Sequence, residues 1–292
     1  DTDGSWDILG SAIDGVSGEK MGMGVSLSSD GSIVASGAYK ATNGVTRIYQ
    51  YSTPGVTGGS WTKIGPAIIG TEYFGRDVSL SSDGSIIAIG ANQDASSLGA
   101  TSIYKYSKPG QIAGSWDDDG TWDILGAKIP GVTAGGRSGF MVRISADGSI
   151  VAMGAPWGGT GQVQIYKYST PEDEWKILGA VINGEVNEEE FGIGLALSAD
   201  GSIVAIGANM HDNQKGSVRI YKYKIPTDTE WATANVVMKG ADTDATQVAD
   251  KFYWTKIGED IDGVNGAGDA GIANGERSGR TALSADGSIL LV

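Results

Sequence analysis

The 292-residue chain contains no cysteine, which excludes disulfides, thiol catalysis and zinc–thiolate sites. Basic residues are few: 21 Lys and Arg stand against 35 Asp and Glu, giving a net charge of −14, and they form no run. Nucleic acid and anionic membrane surfaces are therefore poor partners, because both require a positive footprint. Apolar stretches all fall short of the roughly 20 residues that span a bilayer. Residues 1–4, Asp-Thr-Asp-Gly, do not resemble a signal peptide.

Proline is also scarce, at 7 residues, whereas glycine is abundant at 47. That combination indicates many tight turns and short strands rather than a disordered or collagen-like chain. The length allows one large domain or two ordinary ones. The repeat described next favours a single domain over residues 1–292.

One repeated motif organises the sequence. Leu-Ser-x-Asp-Gly-Ser, with Ile replacing Leu in one copy, recurs with its aspartate at positions 30, 83, 147, 200 and 286. The successive spacings are 53, 64, 53 and 86 residues. The basic unit therefore has 53 residues, and two copies carry insertions of 11 and 33.

Each unit begins with two segments that read as strands. The first alternates in character, as in residues 74–80, which predicts a strand with one buried face. The Asp-Gly pair then favours a hairpin turn. A continuous apolar run follows, as in residues 86–89, and predicts a strand that is buried on both faces.

Two further segments complete the unit. The pattern Ile-Tyr-x-Tyr predicts a third strand whose tyrosines share one face. The pattern Trp-x-x-Ile/Leu-Gly supplies an amphipathic ring suited to a half-exposed outer strand. Its tryptophans are Trp6, Trp61, Trp122, Trp175 and Trp254.

Four antiparallel strands in a unit of about 50 residues are typical of a β-propeller blade. We therefore predict an all-β fold, a β-propeller of four-stranded antiparallel blades with about five repeats and an incomplete last blade. We expect the strands near the axis to stay apolar and alike. The predicted units are 16–70, 71–131, 132–184, 185–263 and 264–292, with an N-terminal strand at 5–14.

The last unit lacks its Tyr-x-Tyr strand. Either the sequence belongs to a longer chain with more blades, or a neighbouring molecule supplies the strand. An unfilled strand position exposes backbone groups with which another chain can pair. The expected partners are therefore other protein chains, including copies of this one, with glycans as an alternative.

The starts of two units, Phe74-Gly75 and Phe191-Gly192, together with Gly154-Ala155-Pro156 after a second strand, resemble the FG-GAP repeats of integrin α-chain propellers. The Ser-x-Asp-Gly-Ser turn is also similar to that of WD-repeat propellers. The resemblance implies a propeller over nearly the whole chain. The calcium loops of FG-GAP blades are not carried over, because a single Asp-Gly turn cannot supply six to eight oxygen ligands. No metal site and no cofactor are predicted.

Acidic residues have local explanations. Turn chemistry accounts for the repeated aspartates, since Asp before Gly favours a chain reversal. Residues 117–120, Asp-Asp-Asp-Gly, are an alternative cation site in the 11-residue insertion. Without a second acidic segment at a known distance, we expect a solvated loop there.

Two loop residues are candidates for ligand binding. Trp157 lies in a loop between second and third strands, on the face where propellers usually bind ligands, and a solvent-facing indole can stack on a sugar ring or a partner side chain. The alternative is that the ring packs under its loop. His211 is the single histidine, and a catalytic base there competes with a surface histidine, because no serine or cysteine nucleophile motif accompanies it. No catalytic residue is assigned.

The longer insertion, residues 227–251, is acidic with an apolar centre. We predict that it packs on the ring or docks a neighbouring chain. Its interaction residues would be Trp231, Val236, Val237 and Met238.

These patterns predict a non-catalytic propeller, extracellular or at the cell surface, that serves as a structural, adhesive or protein-interaction module. Regular repeats and the lack of a convergent catalytic set carry this prediction. One alternative is a lectin-like, carbohydrate-binding propeller. Another is a glycosidase-like enzyme, which requires two carboxylates about 5 to 10 Å apart at the axis.

Overall fold

Antiparallel strands make up nearly all the regular structure of the computed structural model, which describes residues 6–53, 57–108, 120–224, 253–262 and 281–291. The first blade consists of β1 (Met21–Leu27), β2 (Ile33–Ala38), β3 (Val45–Tyr51), β4 (Trp61–Lys63) and β5 (Ile68–Ile69). The second blade consists of β6 (Phe74–Leu80), β7 (Ile86–Ala91), the helical turn α1 (Asp94–Ser97), β8 (Ala100–Ser107), β9 (Thr121–Ile124) and β10 (Ile129–Pro130).

The remaining blades repeat this order. The third blade consists of β11 (Met141–Ile144), β12 (Ile150–Ala155), β13 (Gln162–Ser169), β14 (Glu174–Ile177) and β15 (Ile182–Asn183). The fourth consists of β16 (Phe191–Leu197), β17 (Ile203–Ala208), the helical turn α2 (His211–Gln214), β18 (Ser217–Lys224), β19 (Tyr253–Lys256) and β20 (Ile261–Asp262). The fifth unit contributes β21 (Ala282–Leu283) and β22 (Leu290–Leu291).

Every complete blade is a four-stranded meander whose fourth strand is interrupted. In the first blade the strands pair in the order β1, β2, β3, β4, and β5 continues the outer edge by pairing with β3. The interruption follows from the Trp-x-x-Ile/Leu-Gly motif, because its glycine takes a positive φ, as at Gly65 (62°) and Gly126 (69°). The predicted four-stranded antiparallel blade is thus confirmed, with a kinked outer strand.

The Asp-Gly turns are held by a hydrogen-bond pattern that each unit repeats. In the second blade, Asp83 Oδ1 accepts hydrogen bonds from Ser81 Oγ (2.7 Å) and from the backbone N–H of Ser85 (2.9 Å). The Ser81 hydroxyl oxygen in turn accepts from the N–H of Ile86 at 2.9 Å. Serine two positions before and two positions after the aspartate therefore closes the hairpin, which explains why the whole motif recurs.

Neighbouring blades meet through their first strands, which lie innermost. The Ser26 hydroxyl oxygen accepts a hydrogen bond from the N–H of Leu80 (2.9 Å), and Ser79 Oγ accepts from Ile144 N–H (3.1 Å). A ladder of backbone hydrogen bonds also joins successive turns. Its steps run from Ser29 N–H to the Ser82 carbonyl, from Ser82 to Ala146, from Ala146 to Ala199 and from Ala199 to Ala285, each 2.8 to 2.9 Å long.

Apolar packing fills the space between blades. Between the first two blades, Ile33 and Ala35 of β2 pack against Val78 and Leu80 of β6, and all four side chains are buried. Equivalent clusters separate the second from the third blade and the third from the fourth, and a smaller one includes Leu283 and Leu290 of the fifth unit. Burial of this kind stabilises the fold by roughly 25 cal/mol per Å² of apolar surface.

The outer edge is joined by the repeated tryptophans. Trp122 Nε1 donates to the Ile64 carbonyl (3.1 Å), and Trp175 Nε1 donates to that of Leu125 (2.8 Å). Trp61 likewise donates to the Leu9 carbonyl at 2.8 Å. Residues 6–20 nevertheless form no strand, so the strand predicted at 5–14 is not observed there. Trp6 is fully exposed, and no strand among the residues that the structure describes pairs with it.

Repeat symmetry is broken at the innermost strands, contrary to the expectation that they stay apolar and alike. Asp77 of β6 accepts hydrogen bonds from the N–H of Val142 (2.8 Å) and from Arg143 Nη1 (2.9 Å) of the next blade. Asp77 stands at the repeat position of Gly24, and its ion pair adds to the hydroxyl–backbone contact that Ser79 makes with Ile144. Charged residues are tolerated here because each finds a partner across the interface.

The topology gives the blades two different faces. We call the side with the Asp-Gly turns the turn face. The opposite side, the loop face, carries the loops between second and third strands and the connections from one blade to the next, including residues 156–161, 185–190 and 209–216. No helix in the described part of the chain has the length and apolar character that a membrane crossing requires.

Candidate active site

Both predicted ligand-binding residues lie on the loop face, and one connection lies between them. Trp157 belongs to the loop after β12, and His211 begins α2 after β17. The connection into the fourth blade carries Glu189 and Glu190, which bond to His211 and Trp157 respectively. Sequence position alone did not indicate this arrangement, because the two candidates are 54 residues apart.

His211 is oriented by a carboxylate. Its Nδ1 lies 2.8 Å from Glu189 Oε2, and the imidazole is 19% exposed while the glutamate is 1% exposed. A carboxylate only accepts hydrogen bonds, so we assign the proton to Nδ1, which leaves the lone pair on Nε2. A histidine oriented in this way has the arrangement of a general base.

Glu189 is itself fixed by Arg219, a fully buried residue of β18. Arg219 Nη1 donates to Glu189 Oε1 (2.8 Å) and Nη2 donates to Oε2 (3.1 Å). Nε of the same guanidinium donates to Asp260 Oδ2 at 2.8 Å. Asp260 also pairs with Lys256. We refer to Glu189, His211, Arg219 and Asp260 as the His211 cluster.

The charges of the cluster reinforce one another. Burial by itself would raise the pKa of Glu189, but hydrogen bonds from Arg219 and His211 outweigh it and hold the pKa below its usual value. Burial opposes the charge of Arg219 too, yet its bonds to Glu189 and Asp260 raise its pKa further. Burial would likewise raise the pKa of Asp260, but hydrogen bonds from Lys256 and Arg219 outweigh it, so the pKa is lowered. Both carboxylates are therefore ionised at neutral pH.

The repeat carries a signal for this cluster that the short sequence motifs do not show. Arg47 of the first blade occupies the repeat position of Arg219, and it pairs with Glu19, which stands where Glu189 stands. The second blade has Asp94 at the position of His211, bonded to Lys128 at the position of Asp260 (2.6 Å). Charged residues at these repeat positions thus pair on the loop face in the first, second and fourth blades, and the fourth blade adds a histidine.

Trp157 is half-buried instead of fully exposed. Its Nε1 donates to Glu190 Oε1 (3.2 Å), and its ring meets that of Phe140 edge-on with 4.8 Å between centroids. The guanidinium of Arg137 lies 5.0 Å from the indole centroid. The indole is therefore held in one orientation, with packing on one side and a charged group over its ring.

The aromatic and cationic contacts continue across the loop face. Arg76 lies 4.3 Å from the ring centroid of Phe140 and 5.7 Å from that of Tyr39. Tyr39 packs on Tyr73, over which the Lys40 ammonium lies. We call the set Tyr39, Tyr73, Phe140 and Trp157, with their cations, the aromatic row. Against the negative charge of the whole chain, it gives this face a local set of positive groups.

A metal ion has one possible set of ligands among the described residues. His211, Asp260 and Asp262 each offer an atom, and these atoms lie within 4.8 Å of one another. Both oxygens of Asp260 already meet cations, Arg219 and Lys256. A divalent cation would have to displace these pairs, so the donor set does not favour it.

Other sequence candidates lie outside the described residues. These are the insertion residues Trp231, Val236, Val237 and Met238, and the acidic residues at 117–119.

No protein-family model and no curated protein sequence matches the chain. Solved structures do. The periplasmic gluconolactonase of Pseudomonas aeruginosa is 15% identical, with 91% of this chain and 63% of that chain covered and a TM-score of 0.53. A protein from Lactobacillus plantarum is 14% identical over 92% of this chain and 62% of that chain, with a TM-score of 0.53. The chain has the β-propeller fold.

A third similar structure, assigned as a 6-phosphogluconolactonase from Bacteroides fragilis, is 13% identical. It covers 82% of this chain and 54% of its own, with a TM-score of 0.52. The chain thus spans 54 to 63% of the length of these three proteins. At such identities the likeness concerns the fold.

The comparisons correct the predicted function. Two of the similar propellers are named as lactonases, which overturns the prediction of a non-catalytic structural or adhesive module and of a protein that is not an enzyme. That prediction rested on the lack of a convergent catalytic set. The sequence does not show which polar side chains converge: Glu189 and His211, 22 residues apart, come together only once the blade has folded.

Proposed function

We propose that the chain is a hydrolase that opens sugar lactones on the loop face, with His211 as its general base. The observation that carries the proposal is the 2.8 Å contact between His211 Nδ1 and the buried Glu189 carboxylate, which leaves Nε2 as the nitrogen available for proton transfer. The names of two similar propellers, a gluconolactonase and a 6-phosphogluconolactonase, supply the substrate class.

In the proposed reaction, Nε2 of His211 removes a proton from a water molecule as the water oxygen adds to the lactone carbonyl carbon. The tetrahedral intermediate then collapses by cleavage of the ring C–O bond. The imidazolium returns its proton to the departing alkoxide, so that the products are a hydroxy acid and the neutral histidine. Glu189 stabilises the imidazolium while it exists, as an ionised carboxylate that remains ionised throughout.

Trp157 is proposed as the sugar-binding residue. Sugar rings present C–H faces that pack on an indole, and the hydrogen bond to Glu190 and the ring contact with Phe140 hold this indole in place. The proposal thus combines two predictions from the sequence: that the protein binds glycans, and that Trp157 and His211 bind a ligand.

Lactone opening fits the described residues better than glycoside hydrolysis does. A glycosidase needs one carboxyl group that donates a proton and a second that attacks or activates water. Glu189 and Asp260 are both bound to the Arg219 guanidinium and ionised, which leaves neither as a proton donor. A histidine base suits an ester carbonyl.

A pH-stat assay tests the proposal, because it detects the opening of the gluconolactone ring by the acid that is released. We expect the protein to accelerate opening above the spontaneous rate, and to leave aryl glycosides intact. Trp157→Ala should raise KM with little change in kcat. A panel of five- and six-membered sugar lactones that open at the spontaneous rate would refute the activity.

The resemblance to FG-GAP repeats and the extracellular location remain predictions. If the predicted location is correct, the proposed lactone hydrolase is a secreted protein.

A further inference from the structure

Positive charges alternate with aromatic rings along the aromatic row. Measured between ring centroids, or from a charged group to a centroid, each member lies 3.9 to 5.7 Å from the next. The order along the loop face is Arg137, Trp157, Phe140, Arg76, Tyr39, and then Tyr73 with Lys40. The row is therefore a continuous strip across the first, second and third blades.

Two of these cations are not neutralised within the protein. In the part of the chain that the structure describes, neither Lys40 nor Arg137 forms an ion pair with a carboxylate. Elsewhere in the blades, by contrast, arginines do so: Arg47, Arg143 and Arg219 each bond to a carboxylate. The charges of Lys40 and Arg137 are therefore available to an anion from outside the protein.

The backbone under the row supports a role for its side chains. One repeat position has a left-handed φ of 51 to 60° in each of the first four blades, which is unfavourable for any residue except glycine. Its occupants nevertheless have side chains, and these differ from blade to blade: Lys20, Tyr73, Arg137 and Glu190. Arg137 lies over the face of the Trp157 indole, and Glu190 accepts the N–H at its edge. Glycine would serve the turn better, so the side chains themselves matter at this position.

A sugar chain that carries carboxylates matches such a strip. Sugar rings pack their C–H faces on aromatic side chains, and a guanidinium binds a carboxylate through two parallel N–H groups. A uronic acid offers both features on every ring of its chain. The Debye length at physiological salt is about 8 Å, so a ligand on the row interacts chiefly with these cations and little with the net negative charge of the whole chain.

We propose that the aromatic row binds an acidic oligosaccharide, a chain of sugar rings that carry carboxylates. Arg137, Arg76 and Lys40 bind the carboxylates, and the aromatic rings between these cations pack on the sugar rings. The proposal rests on the proposed function only in its use of Trp157 as a sugar-binding residue. It extends the bound sugar from one lactone ring at Trp157 to a chain that crosses three blades.

Isothermal titration calorimetry with tetragalacturonate tests the proposal, because this ligand carries carboxylates and has no lactone to open. Wild type should bind it, and Arg137→Gln and Lys40→Gln should each raise the Kd about tenfold through the loss of one charge-assisted contact. Lys40 is exposed, so its replacement keeps the test decisive even if Arg137→Gln does not fold. Lys105→Gln is the matched control: it removes one positive charge at an exposed residue of β8 outside the row, and it should leave the Kd unchanged.

Two further ligands separate the contributions of charge and sugar. The methyl ester of tetragalacturonate keeps the sugar rings without the charges, and polyglutamate keeps the charges without the sugar rings, so both should bind much more weakly than the free acid. The proposal is overturned if wild type does not bind tetragalacturonate, or if either of these ligands binds as tightly. The lactone assay is a separate measurement: a protein that opens gluconolactone but does not bind the acid would keep the proposed function and lose this inference, and the converse result would do the reverse.

Discussion

Arg219 and Glu189 form a buried two-point contact: Nη1 and Nη2 of the guanidinium each reach one carboxylate oxygen, at 2.8 and 3.1 Å. Neither side chain is more than 1% exposed. The contact fixes the orientation of the Glu189 carboxylate, whose Oε2 also binds His211. The proposed base thus owes its orientation to an arginine that a substrate cannot reach.

Removing one partner of this pair should destabilise the fold strongly. Arg219→Met leaves the Glu189 carboxylate buried without its cation, at a cost of about 3 to 5 kcal/mol. The free energy of unfolding in urea measures the loss. Arg47→Met is the matched control: Arg47 pairs with Glu19 at the same repeat positions, but their side chains are 19% and 18% exposed. Its cost should be about 1 kcal/mol, and equal losses would contradict the account.

Acid should weaken the contribution of Glu189 to stability. Its pKa in the folded state lies below the usual 4.5, because bonds from Arg219 and His211 outweigh the effect of burial. A lowered pKa stabilises the fold at pH values above that of the unfolded chain, and the gain is lost as the pH falls through the folded value. Urea midpoints of wild type and Glu189→Gln should therefore differ most above about pH 5 and converge progressively as the pH falls through the lowered pKa of the folded state. A difference that does not change with pH would contradict this assignment.

The repeated turns should depend on the acceptor at aspartate. Asp147 Oδ1 accepts from Ser145 Oγ at 2.6 Å and from Ser149 N–H at 2.9 Å. Asp147→Ala removes both bonds and should lower the free energy of unfolding by about 1 to 2 kcal/mol. Asp147→Asn keeps an acceptor at the same place and should cost less. Equal effects would mean that the charge, and not the hydrogen bonds, holds the turn.

Gly90 should not tolerate a side chain. A Cβ there would overlap the backbone carbonyl of Gly139 in the next blade, so Gly90→Ala should cost about 3 kcal/mol through forced separation of the blades. Gly135→Ala is the control. Its φ is +72° but an added Cβ would meet nothing within 4 Å, so only backbone strain of about 1 kcal/mol is expected. Thermal unfolding that ranks the two in the opposite order would refute the close approach.

The fold could be predicted because each strand is set by local pattern. Alternation in residues 74–80, the apolar run at 86–89 and the Asp-Gly turn between them specify a hairpin without reference to the rest of the chain. The fate of residues 6–20 was not predictable in this way. Their Trp6-x-x-Leu9-Gly10 motif matches an outer strand, but a strand forms only beside a third strand with which it can pair.

The candidate site could be predicted only in part. Trp157 and His211 stand out because they break the repeat, and their loop positions follow from the strand order. Glu189 and Arg219 are separated by 30 residues and come together only through the close approach of two segments in the folded blade. Comparison of repeat positions would have found them, because Glu19 and Arg47 form the same pair in the first blade.

The measurement that bears most directly on the proposed function is kcat/KM for gluconolactone with His211→Gln. Glutamine keeps a polar side chain but cannot take up a proton, so we expect a loss of about 100-fold or more. Asp212→Asn, at the adjacent exposed residue, should retain the wild-type value. A His211→Gln variant as active as wild type would contradict the account.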